Sequence, residues 1–358
     1  MDHHLRRRAL AARLDALDVD AMLVTRLPNT RYLTGFTGSN GAIVVSRDAA
    51  VFLTDGRYTE QSRREVPDVD RVTFARSYRA EVAGRCAALG ISRLGVEAQD
   101  LTLTEHRQLV EAIGEDVSVI PLEDVVEEAR VIKDVDERDL VRAAQASTDA
   151  AFDAVLDLFV VGITEEWVAR ELGRLLREAG ADDLAFSPIV AFGENAAEPH
   201  HEPGHRVLEE GDVIKLDFGG RVGGYHADMT RTIAFGAPAA ELSKIHDVVR
   251  EAQQAGIDAV RAGVSGSAVD TAARAPIEDA GYGERFVHGL GHGVGLEIHE
   301  LPWLGTDHDA PLPAGAIVTV EPGIYIPGLG GVRIEDMVEV TEDGGVVVGT
   351  SARDLIEL

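Results

Sequence analysis

The sequence predicts a mixed α/β protein of two domains, and three observations carry that prediction. At 358 residues and 38.3 kDa the chain is long for one average domain. Short apolar runs of strand length alternate with longer helical stretches in both halves. Glycine, proline and asparagine punctuate the joins between them.

In chain order, Leu5, Ala9, Ala12, Leu14 and Leu17 recur at helical spacing and lead into Ala21–Val24, an apolar strand. Pro28-Asn29 reads as punctuation, and Gly35, Gly38 and Gly41 mark a loop. Ala42–Val45 and Val51–Leu53 are two strands joined by the polar turn Ser46-Arg47-Asp48. Thr59–Glu65 is helical and stops at Pro67; Leu94–Glu97 is a strand, and a helix begins at Thr104. Glu127–Phe159 reads as one charged helical stretch free of Gly and Pro, with a domain junction at Ile132–Glu137 in its early part. Helices follow at Glu165–Ala179, Leu242–Ala262 and Ser267–Ala280, interleaved with strands at Val213–Phe218, Thr230–Phe235, Ile317–Val320 and Val332–Val340. No short-period repeat is present, which excludes a solenoid.

Composition narrows the function. A hydrophobic share of 45% with 27% charge is that of a globular chain able to build a core. The net charge of −28 argues against nucleic acid and anionic membranes, because a phosphate binder needs a basic face. It points to solubility, with part of the acidity available as ligands for hard cations. The single cysteine, Cys86, excludes an internal disulfide framework and fits a buried small hydrophobe. With no run of signal-peptide or membrane-spanning length, the reading is cytoplasmic.

The chemistry gathers in the C-terminal half. Asp217 ends the strand Val213–Phe218, looking away from the face shared by Ile214, Leu216 and Phe218, and is followed by two glycines. Asp228 lies eleven residues on, facing the side of Thr230 and Thr232, and a hairpin through Gly223-Gly224 would return it beside Asp217. His292 sits in His288-Gly289-Leu290-Gly291-His292-Gly293-Val294-Gly295, where alternating glycines deny a helix and admit close backbone approach. Glu321 follows the strand Ile317–Val320, and Glu335 alternates with Val332, Ile334 and Val338 so that it shares a face with Arg333. Taken singly, each has a turn or packing explanation. Together, four carboxylates converging without cations would raise one another's pKa, and two divalent ions would resolve the conflict.

At these residues the sequence resembles the Xaa-Pro peptidases of the pita-bread metallopeptidase family, aminopeptidase P and prolidase. Leu27-Pro28-Asn29-Thr30-Arg31-Tyr32-Leu33-Thr34-Gly35-Phe36-Thr37-Gly38-Ser39-Asn40-Gly41 and Thr54-Asp55-Gly56-Arg57-Tyr58 are similar to that family's creatinase-like N-terminal domain, and Gly35–Gly41 resembles the aminopeptidase P branch more closely. The resemblance covers essentially the whole chain. It implies a creatinase-like α/β domain over residues 1–130, then a catalytic domain over 131–358 with a curved, mainly antiparallel sheet covered by helices. It further implies that Asp217 chelates one metal, that Asp228 and Glu335 bridge two, and that His292 and Glu321 bind the second. His200, His299 and Glu321 fall on catalytic positions. His288 and Arg333 fall where substrate is bound, with His201 an adjacent candidate.

The implied function is hydrolysis of the Xaa-Pro bond at the N-terminus of peptides by a homodimer. The oxygen-rich ligand set with one imidazole suits Mn2+, with Co2+ as a substitute. The alternative is a prolidase restricted to dipeptides, and the loops that would separate the two are not placed by sequence. Further rivals are methionine aminopeptidases, which lack the extra N-terminal domain, amidinohydrolases and sulfonium lyases of the same fold, and metal-free binding relatives. Gly291, Gly293 and Gly295 do not follow the dinucleotide-binding spacing.

Overall fold

The computed structural model describes residues 1–358, which divide into two compact units, Met1–Arg130 and Val131–Leu358. The first unit is built on a six-stranded mixed sheet in the order Asp70–Phe74, Ala50–Asp55, Gly41–Ser46, Ala21–Val24, Arg93–Glu97, Ser118–Leu122. The three central strands pair antiparallel, and parallel neighbours flank them on both sides. Leu23, Val44, Leu53, Leu94 and Val96 form its core with Val82 and Cys86 of the helix Tyr78–Leu89.

One segment of this unit departs from the sequence reading. Leu27–Thr34, read as a turn at Pro28-Asn29, is a helix with the proline in its first turn, where a missing N–H costs nothing. Its entry is secured by Glu97, which accepts from the Thr25 and Arg26 amides at 2.6 and 2.8 Å and from Asn29 Nδ2 at 2.7 Å. That carboxylate comes from far along the chain, so local composition carried no sign of it.

In the second unit every strand pairing is antiparallel. Val213–Phe218 lies between Ile189–Phe192 and Met229–Ala234. Ile214, Leu216 and Phe218 pack with Val168, Leu172 and Phe152 from the helices Glu165–Glu178 and Val135–Leu156. Each such side chain contributes about 1.5–3 kcal/mol on burial, and their shared face leaves Lys215 and Asp217 to the other side. A second sheet runs Glu300–Leu304, Gly291–Gly293, Ile317–Val320, Asp336–Val340, Gly345–Val348. It packs through Val318, Val320 and Val338 on the helices Ala240–Ala259 and Gly266–Asp279. No helix is long and apolar enough to cross a membrane.

Two further boundaries differ from expectation. The stretch 127–159 is two helices, Val125–Arg130 and Val135–Leu156, and the second opens with a capping box between Asp134 and Glu137. Val332–Val340 is two strands in different sheets: Gly330–Arg333 pairs with Gly323–Ile326, whereas Asp336–Val340 pairs with Ile317–Val320. Arg231 Nη1 donates to the carbonyls of Thr230 and Glu335 at 2.9 and 2.6 Å, which holds the crossing between the two strands.

Candidate metal centre and active-site cavity

The two-residue turn Gly223-Gly224, with φ of 55° and 83°, sets Val222 opposite Tyr225 and sends the chain back. Met229 then pairs with Phe218 and Thr230 with Asp217, so Asp228 arrives at the same strand end as Asp217. Gly219 is required there, since a Cβ would come within 1.8 Å of the Ala227 carbonyl oxygen. Across the cavity, Gly291 permits an equally close approach to the Thr319 carbonyl and so lets His292 enter between two strands.

Asp217, Asp228, His292, Glu321 and Glu335 line one cavity of about 390 Å³, together with His200, His288, His299, Arg333 and Trp303. Ligand atoms of Asp228, His292 and Glu335 all lie within 4.8 Å of one another. His292 Nε2 is 3.3 Å from Glu321 Oε1 and 3.6 Å from Asp228 Oδ2. Its Nδ1 lies 3.1 Å from the Gly293 carbonyl oxygen; a proton donated there leaves Nε2 with its lone pair toward the carboxylates. The His299 ring stands edge-on to that of His292, with centroids 4.4 Å apart.

Arg333 is buried with four of its five N–H donors engaged: Nε donates to Thr230 Oγ1, Nη1 to Tyr325 Oη and the Pro199 carbonyl, and Nη2 to Asp217 Oδ2. Tyr325 Oη meets His288 Nε2 at 2.9 Å, and burial pushes its pKa up to about 12, so it remains a phenol. Thr230 Oγ1 donates to Glu335 Oε2 at 2.7 Å. Two carboxylate oxygens, Asp217 Oδ1 and Glu335 Oε1, are buried without any partner.

The electrostatics follow from that geometry. Burial raises Asp217 and drives Asp228 and Glu335 well above the ordinary carboxylate range, and the neighbouring carboxylates add to the shift. Burial acts the same way on Glu321, but its hydrogen bond and charge contact with His292 outweigh it and hold Glu321 low. His292 is correspondingly raised by Glu321 against the effect of burial. Four carboxyls face one arginine and one imidazole, and two oxygens stay orphaned. Hard divalent cations satisfy that donor set, so the residues present fit a metal centre.

His201 is the sequence candidate that the structure does not bring to the cavity. Its Nε2 meets Glu165 Oε2 at 3.0 Å and its Nδ1 meets Glu198 Oε2 at 2.7 Å, so both nitrogens are engaged away from a substrate. Sequence reasoning passed over Thr230, Tyr325 and Lys215. Thr230 had one usable sign, its place two residues after Asp228 on the same strand face. Tyr325, bonded to His288 and Arg333, and Lys215, bonded to the Ala196 and Glu198 carbonyls beside His200, reach these positions only through long-range packing.

Residues 139–342 match metallopeptidase family M24, and residues 6–132 match the creatinase/prolidase N-terminal domain. The chain is 33% identical over 349 residues to the Xaa-Pro dipeptidase of Pyrococcus furiosus, covering 96% of this chain and 97% of that one. The solved structure of an Xaa-Pro dipeptidase from Bacillus anthracis superposes with a TM-score of 0.97 at 40% identity over all of both chains. An X-Pro aminopeptidase from Thermotoga maritima superposes at 0.89 with 35% identity, over 97% of this chain and 100% of that one.

Proposed function

Because the chain belongs to metallopeptidase family M24, with a creatinase/prolidase domain ahead of the catalytic one, we propose that it cleaves the bond between an N-terminal residue and a following proline. The observation that carries the reading is the pair of buried, partnerless carboxylate oxygens on Asp217 and Glu335 within a cavity of four carboxyls. Asp217, Asp228, His292, Glu321 and Glu335 would hold two divalent ions, and the oxygen-rich set with one imidazole favours Mn2+, with Co2+ as a substitute. When bound, such ions supply a water acidic enough to attack a peptide carbonyl near neutral pH and a Lewis acid for that carbonyl.

The remaining chemistry belongs to the chain. Glu321, held ionised by His292, takes a proton and passes it toward the leaving proline nitrogen. His299 and His200 line the same cavity and donate to the developing oxyanion. His288 and Arg333, tied together through Tyr325, form a fixed wall for the proline ring.

Aminopeptidase action on longer peptides is the favoured form. Arg333 is the only lysine or arginine lining the cavity, and four of its five N–H donors are taken within the protein, which leaves it poorly placed to hold a dipeptide's carboxylate. The second reading, a dipeptidase, is favoured by similarity to the Pyrococcus and Bacillus enzymes named above. The test is to strip the protein with chelator, restore Mn2+, and assay Xaa-Pro dipeptides against Xaa-Pro-Xaa tripeptides. Metal-dependent cleavage of both, lost when alanine replaces proline, supports the aminopeptidase. Cleavage of dipeptides alone selects the second reading, and no cleavage of either defeats both.

A further inference from the structure

His200 lines the cavity, yet its imidazole makes no hydrogen bond with the rest of the chain, and the residue is largely exposed. Its position therefore rests on its backbone, which lies in an irregular segment that leaves the strand Ile189–Phe192 through the 3₁₀ turn Gly193–Ala197. Irregular backbone holds a reactive side chain in place only when other groups tie it down.

Those ties converge on one buried carboxylate. Glu165, the first residue of the helix Glu165–Glu178, is fully buried. Its Oε1 accepts from the Phe192 amide at 2.8 Å and from Asn195 Nδ2 at 2.9 Å, where the segment begins. Its Oε2 accepts from the Gly204 amide at 3.1 Å, where the segment ends, and meets His201 Nε2 at 3.0 Å. His201 Nδ1 reaches back to Glu198 at 2.7 Å, closing a ring around Pro199 and His200. From the opposite side, buried Lys215 donates to the carbonyls of Ala196 and Glu198, and Arg333 Nη1 to that of Pro199 at 3.2 Å. With a carboxylate on each side, His201 gives a proton to both, and its pKa is raised although burial opposes the charge.

We propose that His201 is a positioning residue: it locks the segment 193–204 onto Glu165 and so fixes where His200 enters the cavity. This role rests on the reading of His200 as a group that meets the reacting carbonyl. His201 itself touches no substrate. It acts through the geometry of its neighbour, and displacements of about 1 Å at a reacting group can cost on the order of 100-fold in rate.

The test uses the full-length, Mn2+-loaded protein with His201→Ala, His201→Gln, His200→Ala and the double variant His200→Ala/His201→Ala. His201→Ala is expected to lower kcat by roughly 10- to 100-fold on an Xaa-Pro substrate, with Mn2+ affinity changed less than about 2-fold. His201→Gln, which keeps a donor for Glu165, should recover part of that loss. In the His200→Ala background the same change should cost less than about 2-fold, because the group it positions is gone. A full, additive loss in that background would overturn the inference, as would wild-type activity in His201→Ala. Hydrogen–deuterium exchange supplies a readout independent of turnover: His201→Ala should raise exchange across 193–204 and leave Val213–Phe218 unchanged. Unaltered exchange there also refutes the anchor. A wild-type protein inactive on Xaa-Pro peptides, with raised exchange in the variant, would sink the peptidase reading and leave the anchor standing.

Discussion

Stripping the cavity of divalent ions should expose an affinity for Mn2+ that climbs steeply with pH. In the ion-free folded chain, burial holds the Asp228 and Glu335 carboxyls well above their ordinary values of 3.8 and 4.5. Each must be ionised to serve a hard cation, so each releases a proton when the ion binds. One linked proton is worth about 1.4 kcal/mol per pH unit, and two give about 2.7 kcal/mol, or roughly 100-fold in affinity per unit at the steepest point. The sign for stability follows. A carboxyl raised in the folded state binds more protons there than when unfolded, so its contribution is present below the unfolded value and lost as pH rises through the folded one.

Lowered groups run the other way, the cavity imidazoles of His288 and His299 among them. Lowered Glu321 contributes stability above 4.5 that is lost on acidification below it, outside the neutral range. Lys215, lowered to about 6 by burial, contributes more as pH rises from there toward 10.5, with or without ions. The informative quantity is therefore the difference between loaded and stripped protein. The assay is titration calorimetry with Mn2+ across the whole pH range in which the stripped protein stays folded, in buffers of different ionisation heat, paired with melting curves. Release of at least two protons, with raised Asp217 and His292 adding to Asp228 and Glu335, and a metal-induced rise in Tm that grows with pH are expected. A Tm shift and affinity flat across that range would refute the account of the buried carboxyls.

Three further outcomes follow from the packing. Gly291→Ala would drive a Cβ to 2.1 Å from the Thr319 carbonyl oxygen, displace His292 and weaken Mn2+ binding, measurable by calorimetry; unchanged affinity would contradict the close-approach argument. Lys133→Met strips Glu300 of the ammonium 2.8 Å away in a buried pair and should cost about 3–5 kcal/mol in denaturant unfolding, with Lys133→Met/Glu300→Met recovering much of it. Leu216→Ala, at a fully buried position beneath Asp217, should cost about 2–5 kcal/mol and leave peptide specificity unchanged in the loaded enzyme, checked by unfolding and by the substrate panel.

Much of the site was legible because its ligands sit on or beside regular strands. Apolar alternation in Val213–Phe218 told which way Asp217 faces, and the glycine pair at 223–224 told how Asp228 returns, since a two-residue hairpin needs positive φ at both. The mixed α/β character was legible for the same reason, and the mainly antiparallel second half came from the family resemblance. Where the reading slipped, the deciding group lay far away in sequence. The helix Leu27–Thr34 depends on Glu97, and the break between Gly330–Arg333 and Asp336–Val340 depends on Arg231. The capping box at Asp134 and Glu137 was visible in the sequence and went unused, because the charged run around it reads as one helix.

His201 shows the boundary between the two kinds of knowledge most clearly. Sequence alone determined the residue types the chemistry needs and the strands that carry them, because those depend on local periodicity and spacing, while the family came from the resemblance of its motifs. It places His200 and His201 side by side, and the family resemblance ranks His200 first because it falls on a catalytic position. In the tertiary structure His201 is one of four donors that meet the buried Glu165 carboxylate, which turns it away from the cavity. Tertiary structure likewise placed Tyr325, Lys215 and the orphaned oxygens of Asp217 and Glu335. Their roles arise from which groups burial brings together without water, and no spacing along the chain encodes that.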